Sequence, residues 1–142
     1  MTSWVLGLGI LGMSLGFGCA GEAAVSYQGT VTEGTETGYS FDNAPNPSGA
    51  TPIPGATVVV CIDGCKGNER SVTTSADGSY PELTTTFGGI SGDTTIAVQA
   101  TTLDGRVVAY ETVYEDTEDP TVANPSCETP CPPVYLNLQV AP

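Results

Sequence analysis

Apolar and polar residues alternate with a period of two along much of the chain. The pattern is clear in Ser26–Thr32 (SYQGTVT), Thr94–Ala100 (TTIAVQA) and Val134–Val140 (VYLNLQV), while Ala56–Ile62 (ATVVVCI) reads as a strand from its β-branched content, Arg106–Tyr114 (RVVAYETVY) as the hairpin partner of the strand before it, and Arg70–Ser75 (RSVTTS) as an exposed strand. A period of two places alternate side chains on opposite faces of a strand. No stretch sustains the 3.6-residue period of a helix. Asp63-Gly64, Asp77-Gly78 and Asp104-Gly105 punctuate the strands with pairs that tolerate positive φ. The second of these leads into Tyr80 and Leu83, and the third makes a hairpin of its two flanking strands. The pattern predicts an all-β fold, a single antiparallel β-sandwich of about seven short strands.

Two stretches interrupt this rhythm. Residues 33–54 are rich in Gly, Thr, Pro, Asn and Ser, with Tyr39 and Phe41 as their large apolar groups. That is long beside connections of about 4–6 residues, so it is a loop insertion that Tyr39 and Phe41 pin to the body. Residues 115–133 are acidic and Pro-rich, and read as loop.

The N-terminal segment follows a different rule. The first 18 residues hold no charged side chain, and Val5–Phe17 is an apolar, Gly-rich run. A membrane-spanning helix needs about 20 apolar residues. This run instead suits the core of an export signal, about 7–15 residues long. Small residues then surround Cys19 in GFGCAG. The segment resembles a bacterial lipoprotein signal, in which that cysteine becomes the acylated N-terminus. The resemblance implies a signal over residues 1–18, lipidation at Cys19, a tether over residues 19–25 and a domain over residues 26–142. An ordinary cleaved signal, with Cys19 lost or free, is the alternative.

A second resemblance lies in the order of motifs. G-T-V-T at Gly29–Thr32 precedes P-I-P-G-A-T-V-V-V at Pro52–Val60 and T-T-S-A-D-G-S-Y at Thr73–Tyr80. Over roughly residues 26–115 the chain resembles the carboxypeptidase regulatory-like domains. That likeness implies a prealbumin or transthyretin-like sandwich with Ig-like Greek-key connections. It assigns Gly55 and Asp77-Gly78 to turns and Tyr80 to the core. Its motifs are structural, and the family implies an accessory or ligand-presenting module.

Charge narrows the partners. The net charge is −13, and Lys66, Arg70 and Arg106 are the three basic residues. Nucleic acid binding requires Lys and Arg to neutralise phosphates, so no nucleic acid partner is expected. Histidine is absent, which removes the commonest general base and metal ligand. No catalytic constellation emerges, and neither enzyme activity nor a cofactor is expected. A paired-carboxylate hydrolase finds no support, because no aromatic cluster marks a sugar cleft.

The remaining candidates are cysteines and acids. With Cys19 set aside, Cys61, Cys65, Cys127 and Cys131 form an even set, which in an exported chain reads as disulfides. Local pairs, Cys61–Cys65 and Cys127–Cys131, each bracket a turn, and closing so small a loop stabilises by about 2 kcal/mol. Pairing between the two motifs is the rival, and a four-thiolate zinc site is a third reading. Glu115, Asp116, Glu118 and Asp119 could ligate calcium, although they lack the glycine-punctuated spacing of a calcium loop. The expectation is a monomeric, non-enzymatic module, lipid-anchored at the bacterial outer membrane or cell surface, facing outward or toward the periplasm. Its partners are the membrane and an envelope protein or polysaccharide. The alternative is a calcium or small-ligand-binding lipoprotein using the acidic loops.

Overall fold

The computed structural model describes residues 23–41, 50–88, 92–117, 119, 121, 122, 124, 126 and 132–142. Among the described residues there are ten strands and no helix: β1 (Ala23–Glu33), β2 (Gly38–Ser40), β3 (Thr51–Pro52), β4 (Thr57–Ile62), β5 (Ser71–Thr73), β6 (Ser79–Phe87), β7 (Thr94–Thr101), β8 (Val107–Tyr114), β9 (Val134–Tyr135) and β10 (Asn137–Val140). They build one six-stranded and one four-stranded sheet.

The smaller sheet runs β5-β4-β7-β8 and is antiparallel throughout. Its strands follow the alternation closely. Val58 and Val60 of β4 and Val108 of β8 are buried, while Thr57, Val107 and Ala109 are exposed. The Asp104-Gly105 turn joins β7 to β8 in the expected hairpin, with Thr101 opposite Val107.

The larger sheet is organised around β1. Its first half pairs antiparallel with β6, Tyr27 opposite Leu83, and parallel with β9, Tyr27 opposite Val134. Its second half pairs parallel with β10, Val31 opposite Leu138, and antiparallel with β3, Thr32 opposite Pro52. The terminal strand β10 therefore lies between β1 and β2. The register between β1 and β6 slips by one where Gln28 faces Pro81 and Glu82. A bulge is where a strand tolerates proline, because one ladder amide is already missing there.

The reading of seven antiparallel strands is corrected on both counts. The long insertion contributes β2 and β3 to the larger sheet. The last strand is split at Leu136 and runs parallel to β1, which makes that sheet mixed. Alternation reports which face a residue occupies; it carries no information about the direction of the partner.

The two sheets share one apolar core. Val25, Val31, Leu83, Leu136 and Leu138 from the larger sheet meet Val58, Ile96 and Val98 from the smaller, all at most 2% exposed. Tyr80 turns inward as expected and donates its hydroxyl to the Leu136 carbonyl at 2.5 Å. Burial pushes its ionisation above the ordinary tyrosine range.

Arg106 ties the sheets together at one end. Its Nη1 reaches Glu33 Oε2 at 2.6 Å and the Ala141 carbonyl at 3.0 Å, while Nε contacts Asp104 at 2.9 Å. The guanidinium thus joins the β7–β8 turn to the ends of β1 and β10. Hydrogen bonds from Arg106 and then Thr102 hold Asp104 down from 3.8 to about 2. A carboxylate with a lowered folded-state pKa contributes stability above its unfolded value and loses it as pH falls through the folded one. We therefore expect thermal stability to decline between pH 4 and pH 2, and less steeply in Asp104→Asn. Melting curves across that range check this; parallel profiles for the two proteins would contradict it.

Candidate functional site

The expected Cys61–Cys65 disulfide is present, with Cα atoms 4.9 Å apart. Cys61 is fully buried near the end of β4, and Cys65 is exposed just beyond the turn. The bracketed residues Asp63 and Gly64 both adopt positive φ, 52° and 95°. Asp63 holds its uncommon conformation through two partners: its amide donates to Thr95 O at 2.8 Å, and its carboxylate accepts the Thr95 amide at 2.9 Å. Cys19, Cys127, Cys131 and Glu118 lie outside the described residues, and with them the expected lipidation and the expected Cys127–Cys131 pair.

The acidic segment after β8 directs its carboxylates at backbone amides. Asp116 Oδ2 accepts the Gly92 amide at 3.0 Å, and Asp93 Oδ1 accepts the Asp116 amide at 3.2 Å. Asp119 Oδ1 accepts both the amide and the hydroxyl of Thr121, and these bonds lower its pKa. Glu115 is held through its main chain, whose amide and carbonyl bond the Asn124 side chain at 2.7 and 3.0 Å. Among the described residues, no three His, Cys, Asp or Glu side chains converge in a way that could hold a metal ion.

The structure assembles something that the sequence reading missed. Four aromatic rings from three separate strands and the residue after β2 meet along one flank of the molecule. Tyr110 of β8 packs edge-on against Tyr39 of β2 at 4.8 Å, Phe41 at 5.1 Å and Tyr27 of β1 at 6.3 Å between ring centroids. Tyr39 and Phe41 are themselves 5.8 Å apart. The pinning of the insertion by these two residues is therefore direct. The sequence reading, which found no aromatic cluster to mark a sugar cleft, did not anticipate this grouping. The available signal was Tyr39-Ser40-Phe41: two rings two residues apart, hence on one face of an extended chain, within an otherwise polar segment.

The cluster borders a cleft of about 290 Å³. Val25, Ser26 and Tyr27 of β1 form one wall; Phe41, Tyr110 and Val134 form the others, with Asn124, Ser126 and Pro132 completing the lining. Ser26 is occupied by Glu82 Oε1 at 2.9 Å and Thr84 Oγ1 at 3.0 Å. Tyr27 is 2% exposed, and burial, followed by the neighbouring Tyr110, pushes its pKa up to about 12. Tyr39 and Phe41 are about half exposed, at 53% and 47%. A second, polar groove of about 270 Å³ is lined by Tyr39 together with Thr32, Glu36, Asn137 and Gln139.

Comparison with protein-family models, curated proteins and solved structures found no match.

Proposed function

We propose that this chain is a lipid-anchored, non-enzymatic module of the bacterial cell envelope, built on a prealbumin-like sandwich and doing structural, adhesive or complex-building work. The observation that carries this reading is the position of β1. It begins at Ala23, so that Ala20, Gly21 and Glu22 alone separate it from Cys19. Four extended Cα steps span at most about 14 Å. An acyl group on Cys19 would therefore hold the domain against the bilayer surface, with little freedom to swing away. Tension on that short tether would pass straight into the central strand of the larger sheet, where β6, β9, β10 and β3 share it. Such a mounting suits a module that presents a surface or bears a load. Two or three acyl chains on one residue make the anchor effectively permanent, at about 0.8 kcal/mol per buried methylene.

The test is Cys19→Ser followed by fractionation of cells and mass spectrometry of the mature protein. The native chain is expected with the membranes, its N-terminal Cys19 acylated, and the variant in the soluble fraction. A variant that still sediments with membranes, or a native N-terminus that is unmodified and lies further downstream, would overturn the anchor.

A further inference from the structure

We propose that the aromatic cleft beside Tyr27, Phe41 and Tyr110 binds an uncharged sugar ring, as presented by a neutral polysaccharide. The inference deepens the envelope-module reading by naming what such a surface would hold, and it rests on that reading only for where the polymer is met.

Ring faces supply the first observation. Tyr39 and Phe41 are about half exposed although both pack on Tyr110, and Phe41 lines the cleft. The T-shaped contacts, with interplanar angles of 65° and 86° against Tyr110, fix these two rings while about half of each residue's surface stays open. An exposed aromatic face matches the C–H face of a pyranose ring, which is flat, weakly polar and bordered by hydroxyls.

Tyr27 supplies the second, independent observation. It is 98% buried, and its hydroxyl makes no hydrogen bond among the described residues. Among the described residues no fully enclosed side-chain nitrogen or oxygen lacks a partner, so this hydroxyl is not sealed from open space, and Tyr27 lines the cleft. A purely apolar occupant would leave it unpaired, at a desolvation cost. An occupant carrying hydroxyls would not.

Charge decides the remaining choice. Among the described residues, no charged side chain lines the cleft. An anionic polymer would meet a chain of net charge −13, and a cationic ligand would find no carboxylate in the lining. The ligand is therefore neutral, with apolar faces and hydroxyl edges. The volume sits at the small end of ligand clefts, about 300–1,000 Å³, the scale of about one sugar ring.

The experiment is calorimetric titration of the full chain, in detergent micelles, with maltopentaose, cellopentaose and mannopentaose, and with decaproline as a rival aromatic-groove ligand. At least one pentasaccharide is expected to bind with a Kd of about 1 mM or tighter. Phe41→Ala, which removes an exposed ring, is expected to weaken that binding by about fivefold or more, and Tyr27→Phe by about threefold or more with an unchanged melting temperature. Silence across the three sugars, smaller losses than these in either variant, or binding of decaproline in their place would overturn the proposal. Cys19→Ser is expected to keep full sugar binding, so failure of the cleft and failure of the anchor are read separately.

Discussion

Replacing Gly29 by alanine is expected to destabilise the protein by about 3–5 kcal/mol, the combined order of an overpacked core and a disrupted buried hydrogen bond. A Cβ at this position would lie 1.9 Å from the Leu136 carbonyl oxygen and 2.6 Å from its carbon. Both atoms are backbone, so no side-chain rotation relieves the overlap. The chain there is also held from two other directions. Leu136 donates its amide to Gln28 O at 2.7 Å, and its carbonyl accepts the Tyr80 hydroxyl. Making room for one methyl group therefore moves the junction of β9 and β10 away from β1 and breaks at least one of these bonds. Gly38 is the matched control, since a Cβ there meets nothing within 4 Å. Gly38→Ala is expected to lie within about 1 kcal/mol of the native protein. Urea denaturation of the two variants measures the difference; equal midpoints would show that the crossing at Gly29 is not tight.

The second large effect is expected at Thr74. Its side chain accepts the Ala56 amide at 2.8 Å and donates to the Ile53 carbonyl at 2.7 Å. Its own amide and carbonyl bond Ala56 O and Gly55 N at 2.9 and 3.1 Å. One residue thus closes the turn that launches β4, and neither Ala56 nor Thr74 is more than 5% exposed. Valine has nearly the shape of threonine, so Thr74→Val preserves packing while stranding a buried amide and a buried carbonyl. Each unsatisfied group costs about 1–3 kcal/mol, and a combined loss of about 2–4 kcal/mol is expected. Thr74→Ser keeps the hydroxyl and is expected to lose less than about 1.5 kcal/mol. If valine and serine prove equivalent, the hydroxyl is not what holds the turn.

These two positions show how far the sequence could be read. Gly29 and Thr74 both lie within the motifs that suggested a known domain type, and Asp77-Gly78 and Gly55 turn where those motifs place them, with φ of 78° at Gly78 and 74° at Gly55. The strands of the smaller sheet were legible nearly to the residue, because they are rich in β-branched residues, three of them span six to eight residues, and the β4–β5 and β7–β8 pairs join neighbours in sequence. The larger sheet was not. Its central strand pairs with segments from the middle of the chain and with β9 and β10 more than 100 residues later, and β2 and β3 are too short to carry an alternation of their own. The reason Gly29 must be glycine is a backbone more than 100 residues away, which no local pattern records. The aromatic cleft failed to register for the same reason. Tyr27, Tyr39, Phe41 and Tyr110 each read as an ordinary apolar residue until two sheet edges bring them together. Local disulfide geometry was the opposite case, since Cys61 and Cys65 needed only the turn between them.

The placement of β10 between β1 and β2 bears on when this molecule can fold. Thr30 and Asn137 share a buried hydrogen bond across 107 residues of sequence. The first strand is thus completed by residues made more than 100 positions later, and topologies dominated by such distant pairings fold slowly, on the order of milliseconds to seconds. Until those residues arrive, β1 lacks one neighbour and the apolar faces of Leu136 and Leu138 are missing from the core. A chain wired in this way cannot complete its larger sheet until β10 has been made. A fold left incomplete can be threaded through a translocation pore, so the late closure of the sheet is itself compatible with export.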